Sequence, residues 1–238
     1  MLKIQDLFKI FFKKHPVTAT LILINTVMFF VTIFTGGFSI ENLVSLGGLV
    51  PAYVSERQEY HRLLLAMFLH GSFLHFFMNT YFLYYIGVFV EKIFGSVKFS
   101  IIYLVSGLGS SFLIWLLGDP LVVTIGASGS LFGIMGVLLL LTFTRPNWFP
   151  HQTIKSIRTL TIINLVFTVL MPNISVLGHL GGFVTGILLA LILTPKKPHL
   201  TTEQTYYQTQ YQSQYQNQDN VFDYEDVKDK DDDDDLFS

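Results

Sequence analysis

Three short stretches carry residue types that could act together on an acyl bond. Ile125-Gly126-Ala127-Ser128-Gly129 sets a glycine-flanked serine at the head of an apolar run. Gly178-His179-Leu180-Gly181-Gly182 sets a histidine at the head of another, and His75-Phe76-Phe77-Met78-Asn79 holds a histidine and an asparagine four residues apart. A serine hydroxyl is a weak nucleophile until a base takes its proton, and acyl transfer also needs donors for the oxyanion that forms. Ser128 is the candidate nucleophile, His179 the candidate base, and His75 and Asn79 the candidate donors. A four-residue spacing puts His75 and Asn79 on one helix face.

The elements that must position these residues are membrane spans. The 238 residues are 51% hydrophobic and 13% charged, against roughly 25% charged in an average soluble domain. Runs of about 20 apolar residues read as transmembrane helices. The sequence predicts six: Val17–Phe34, Ser72–Val90, Val97–Leu117, Ser128–Phe143, Ile157–Met171 and Leu177–Leu193. Glu91-Lys92, Gly118-Asp119-Pro120, Arg145-Pro146, Pro172-Asn173 and Pro195 supply their breaks. The last three spans are short, which fits helices around a thinned or water-accessible centre. The fold class is therefore all-α, a polytopic six-helix bundle.

Residues 1–16 read as a basic amphipathic leader suited to an anionic membrane surface, 17–194 as the membrane core, and 195–238 as a tail. Nothing after the first span resembles a small-residue cleavage site, so that span is expected to be retained. The tail combines the Gln/Tyr/Ser-rich stretch Gln204–Gln218 with the acidic run Asp231–Asp235. Such composition cannot bury a core and is expected to be disordered. Thirteen of the 15 Lys and Arg fall on one side of a six-span topology; Arg57 and Arg62 fall on the other. Positive residues accumulate on the cytoplasmic side, so both termini are expected there. The chain has no cysteine, which excludes disulfides, thiol catalysis and iron–sulfur ligation. His61, His70 and His75 lack metal-ligand spacing, and no metal or other cofactor is expected.

With that topology the second, fourth and sixth spans all enter from the outer side. His75, Asn79, Ser128 and His179 then share a depth in the outer half of the membrane. Polar groups at such depth are costly and face a bundle interior or a water-filled cavity. Gly129, Gly133 and Gly136 on the fourth span, and Gly178, Gly182 and Gly186 on the sixth, allow close backbone approach. That approach would bring Ser128 within reach of His179.

His75-x-x-x-Asn79, Gly126-Ala127-Ser128-Gly129 and His179-x-x-Gly182-x-x-x-Gly186, in this order and in these spans, resemble the rhomboid family of intramembrane serine proteases. The resemblance covers residues 18–193. It implies a six-helix core with an outward-facing site, Ser128 as nucleophile, and His179 as general base and then acid. It also implies an oxyanion hole made by the Ser128 N–H, Asn79 and His75. Gly126 and Gly129 would let the backbone turn tightly beside the nucleophile. No acidic residue lies inside the spans as read here, so a dyad is expected, and the sequence identifies no residue that would fix the His179 tautomer. Two positions depart from the family pattern. Phe132 stands where a tyrosine often packs on the base, and His61-Arg62 stands where the first loop often carries Trp-Arg. Arg62 is expected to hold that loop, and His70 to have a structural role.

The resemblance implies membrane-protein substrates whose transmembrane helix unwinds near its outer end, with the lipid bilayer as the other partner and no nucleic acid. Two other classes compete. One is a non-catalytic binder of membrane clients, which would need none of the four polar residues together. The other is a transporter, which would be supported by an internal repeat with matching broken helices; none is visible. The basic leader and short loops point to a bacterial cell membrane.

Overall fold

The computed structural model describes residues 4–172 and 174–199. The expectations for the Gln-rich stretch, the acidic run and the first three leader residues lie outside them. The described residues form helices and no strands; Leu49 and Thr124 make one isolated antiparallel bridge. Five helices are long and apolar enough to cross a membrane: α2 (Pro16–Thr35), the continuous segment Phe73–Phe94, α8 (Ser96–Leu117), α10 (His151–Leu170) and α11 (Val176–Leu193). A sixth apolar helix, α9 (Ser128–Thr144), has 17 residues. The all-α bundle expected from the sequence is the fold, and the chain is a multi-pass membrane protein.

Ahead of α2 lies the leader helix α1 (Ile4–Lys14). Between α2 and the second span lie the short helices α3 (Ile40–Ser45), α4 (Pro51–Arg57) and α5 (Arg62–Leu65). The second span begins as α6 (Phe73–Phe82), passes through a π-helical turn (Leu83–Gly87) and ends as α7 (Val88–Phe94).

The hub is α9. Twelve of its 17 residues are buried, and it packs most extensively against α11 and then α8. Glycine makes this possible. A Cβ at Gly182 would overlap the Gly129 carbonyl, one at Gly186 the Gly133 carbonyl, and one at Gly136 would press on the Phe183 carbonyl. Backbones this close exchange dispersion contacts over their whole length, which is how small residues drive association where lipid removes the hydrophobic difference. At the periphery, α10 buries only Thr161 and Thr168; its Ile162, Val166 and Val169 are exposed, as expected of a lipid-facing surface.

Three readings from the sequence need correction. The fifth span starts at His151, six residues earlier than expected, because the polar turn that carries Lys155 and Arg158 is helical. Arg158 donates to the Thr142 carbonyl and hydroxyl at 3.0 and 3.1 Å, which fastens this end of α10 to α9. Shortness is therefore confined to α9, with α10 at 20 residues and α11 at 18. The third correction concerns Glu91. It does not terminate the second span but lies inside it and is 3% exposed.

The Glu91 carboxyl accepts four hydrogen bonds: from Val17 N at 3.0 Å, Thr18 N at 2.9 Å, Thr18 Oγ1 at 2.7 Å and Ser96 Oγ at 2.7 Å. Helix α2 has no side-chain cap of its own, so Glu91 satisfies its first free N–H groups from another helix. Bonds to such an acceptor contribute about 1.5–3 kcal/mol each when removal strands the donors. Glu91→Ala is expected to lower the thermal midpoint in detergent sharply, and Glu91→Gln, which keeps one acceptor oxygen, by less.

Past α11 the chain stays on the bundle as far as His199, whose N–H donates to the Ile93 carbonyl at 2.9 Å.

Candidate active site

His75, Ser128 and His179 sit in the first turns of α6, α9 and α11, and Asn79 one turn deeper in α6. Ser72 caps α6 by accepting from His75 N at 3.1 Å, and Ser175 caps α11 by accepting from Gly178 N at 3.1 Å. These serine caps fix the helix starts and so place His75 and His179 in the first turn of their helices. Helix α9 differs. Its N-cap is Ala127, with no side-chain cap. Its first N–H groups, that of Ser128 among them, have no acceptor within the helix, and the helix dipole favours negative charge there.

Ser128, His179, His75, Asn79, Gly126, Gly129 and Phe132 line one cavity of about 880 Å³. The loop before α9, the segment around Leu49, and residues of α8, α10 and α11 complete its wall. Ser128 is half-buried, and Asn79 and His179 are buried. No hydrogen bond joins Ser128 to His179 among the described residues; both face the shared space. Catalytic pairs are often loose until substrate is bound.

The donors are set as follows. Asn79 Nδ2 donates to the His75 carbonyl at 3.0 Å, which uses one of its two hydrogens. Gly71 N–H makes a long contact of 3.5 Å to His75 Nδ1. That leaves Nε2 to carry the ring proton. The Nε2 edge lies against Gly126: a Cβ there would stand 2.7 Å from it. Gly126 also has φ of 125°, and its N–H is held by the Ala66 carbonyl at 2.8 Å. A side chain would be excluded on both counts, so this glycine lets the loop bring Ser128 under His75. His70 packs edge-on against both His75 and Phe76. Burial first, and then the adjacent His75, push its imidazole down to about 3, so it is neutral.

Phe132 stacks on His179 with ring centroids 3.9 Å apart and planes at 16°. The ring at position 132 thus covers the His179 imidazole. Arg62 is 7% exposed, donates to the Val44 and Gly48 carbonyls at 2.6 and 2.8 Å, and pairs with Glu59. It is a loop clamp outside the cavity lining. Glu91, the carboxyl within the spans, follows Asn79 by twelve residues, about 18 Å along a helix, and is saturated by its four donors.

One neighbour of His179 went unrecognised in the sequence. Thr168 Oγ1 lies 2.8 Å from His179 Nδ1. A signal was present: Thr161, Asn164 and Thr168 follow an i, i+3, i+7 spacing and form a polar stripe on the otherwise apolar half of α10 from residue 160 onward. Thr161 and Thr168 are buried, and Asn164 lines the cavity.

Comparison with known proteins agrees with this architecture. The family model described as Rhomboid domain matches residues 57–196. The chain is 35% identical over 188 residues to RHOMBOID-like protein 4 of Arabidopsis thaliana, covering 70% of this chain and 45% of that protein. It is 32% identical over 182 residues to Rhomboid protease GluP of Bacillus subtilis (strain 168), covering 76% of this chain and 35% of that protein. It is also 31% identical over 155 residues to Inactive RHOMBOID-like protein 8 of Arabidopsis thaliana, covering 63% and 42%. The chain thus spans less than half the length of these relatives. With the family model spanning α5 through α11 and the bundle built as described, the chain belongs to the rhomboid family.

Proposed function

We propose that this protein is an intramembrane serine endopeptidase that cleaves transmembrane segments of other membrane proteins. The observation that carries this reading is the convergence of Ser128, His179, His75 and Asn79 on one cavity at one end of a membrane-spanning bundle. They come from three helices and are far apart in sequence. In the proposed reaction His179 Nε2 takes the proton of Ser128 Oγ as the oxygen attacks the substrate carbonyl carbon. The oxyanion accepts hydrogen bonds from Ser128 N–H, the free hydrogen of Asn79 Nδ2, and His75 Nε2–H. Collapse breaks the C–N bond, and His179 returns the proton to the leaving amine. Water then releases the acyl group by the same steps in reverse. The half-buried Ser128 on a cavity of about 880 Å³ supports water entry. The distribution of Lys and Arg supports a site on the side opposite the termini.

A second reading is a binder of membrane clients without chemistry, favoured by the likeness to a relative named as inactive. A fluorophosphonate probe separates the two. Detergent-purified wild type is expected to be labelled and Ser128→Ala to be silent, at equal midpoints. Absence of labelling in folded wild type would favour the binder.

A further inference from the structure

We propose that Thr168 is the positioning residue of the base: its hydroxyl holds His179 in the Nδ1–H tautomer and so leaves Nε2 as the proton acceptor for Ser128. This rests on the peptidase reading for its consequence, though not for its geometry.

The assignment follows from counting hydrogens. Thr168 Oγ1 lies 2.8 Å from two groups, the Asn164 carbonyl oxygen and His179 Nδ1. A hydroxyl has one hydrogen, and a carbonyl oxygen can only accept. The hydrogen therefore goes to Asn164. Directed at His179 instead, it would leave two acceptor oxygens facing each other at 2.8 Å. Toward His179, Thr168 then offers only a lone pair, and the contact is a hydrogen bond only if Nδ1 carries the proton.

The bond to Asn164 is the resting state of threonine in these helices. Thr20, Thr26, Thr32, Thr161 and Thr185 also donate to the carbonyl four residues back. What sets Thr168 apart is where the helix puts it. It is 3% exposed, on the buried stripe of α10, against the first turn of α11. Water does not compete there, so the tautomer preference is undiluted. The Phe132 stack fixes the plane of the imidazole, and the Thr168 bond fixes its rotation within that plane. Together they determine which nitrogen is available to the cavity. A buried carboxylate would do the same in a triad, and Thr168 does it without placing a charge in the membrane.

The test is the ring-nitrogen spectrum of 15N-histidine-labelled protein at pH 8, above the ordinary histidine range. The His179 signals are assigned by their loss in His179→Ala. The expected result is a protonated Nδ1 and a bare Nε2. An Nε2–H form in wild type would overturn the proposal. Thr168→Val removes the acceptor at constant shape and should lose the Nδ1–H preference, while Thr168→Ser should keep it. In cleavage assays Thr168→Val should lower kcat about tenfold, the factor carried by one neutral hydrogen bond, with KM unchanged and with recovery in Thr168→Ser. Equal kcat in folded Thr168→Val and wild type would also overturn it. If Thr168→Val does not fold, the wild-type spectrum still decides. The spectrum does not depend on turnover. A protein with Nδ1–H that fails to label or cleave would therefore contradict the peptidase reading and leave the tautomer assignment standing.

Discussion

Gly182→Ala is expected to cost the protein its folded bundle. A Cβ at this position would overlap the carbonyl of Gly129, and the three nearest atoms all belong to the Gly129 backbone. No side chain can swing aside, so α9 and α11 must separate. Overpacking a well-filled core costs about 1–3 kcal/mol where side chains can adjust; here they cannot, and about 3 kcal/mol or more is expected. Separation would also strand Gly186 and Gly136 from their partners, because the same two helices interlock at each. The control is Val184→Ala on the same helix, whose side chain is 53% exposed on the lipid-facing surface. The measurement is the thermal midpoint and size-exclusion profile in detergent. Gly182→Ala should shift or lose the folded peak and Val184→Ala should leave it. A folded, wild-type-like Gly182→Ala would mean that the helices do not pack through Gly129.

The same contact joins stability to the site. Gly129 is the residue after Ser128, and Gly182 lies three residues past His179. The interface that holds the bundle together therefore also sets the separation of Ser128 and His179. This much was readable in the sequence, because small residues at four-residue spacing and polar residues at the heads of apolar runs are both local patterns. The start of α10 was not readable by hydropathy: its first turn is polar, and only its attachment to α9 through Arg158 explains a helix there. Glu91 misled for a related reason. A carboxyl near the end of an apolar run looks like an exit into water, and three of the four hydrogen bonds that keep it inside come from residues 73 to 74 positions away. Thr168 was hidden differently. Its spacing with Thr161 and Asn164 marks a polar stripe, but threonine can satisfy itself on its own helix, so the pattern alone does not say that a histidine stands opposite.

Cleavage of a single-span substrate in membranes should fall by about 10⁴ or more in Ser128→Ala, in His179→Ala and in the double variant, all to a common floor. The two residues perform one proton transfer. With the hydroxyl gone the imidazole has nothing to activate, and with the imidazole gone the hydroxyl keeps its proton. Losses that multiplied in the double variant would mean that the residues act separately, and the dyad would be wrong. Asn79→Ala should fall less, by about 10²–10³ in kcat with KM little changed, because it removes one donor that acts only once the oxyanion has formed. The gap between these two losses separates chemistry from binding. A client binder would lose capture when the cavity wall changes at Asn79 and would be indifferent to the Ser128 hydroxyl, which makes no hydrogen bond to the base in the resting protein. A peptidase shows the reverse order, since in it the Ser128–His179 contact has its effect only during the reaction.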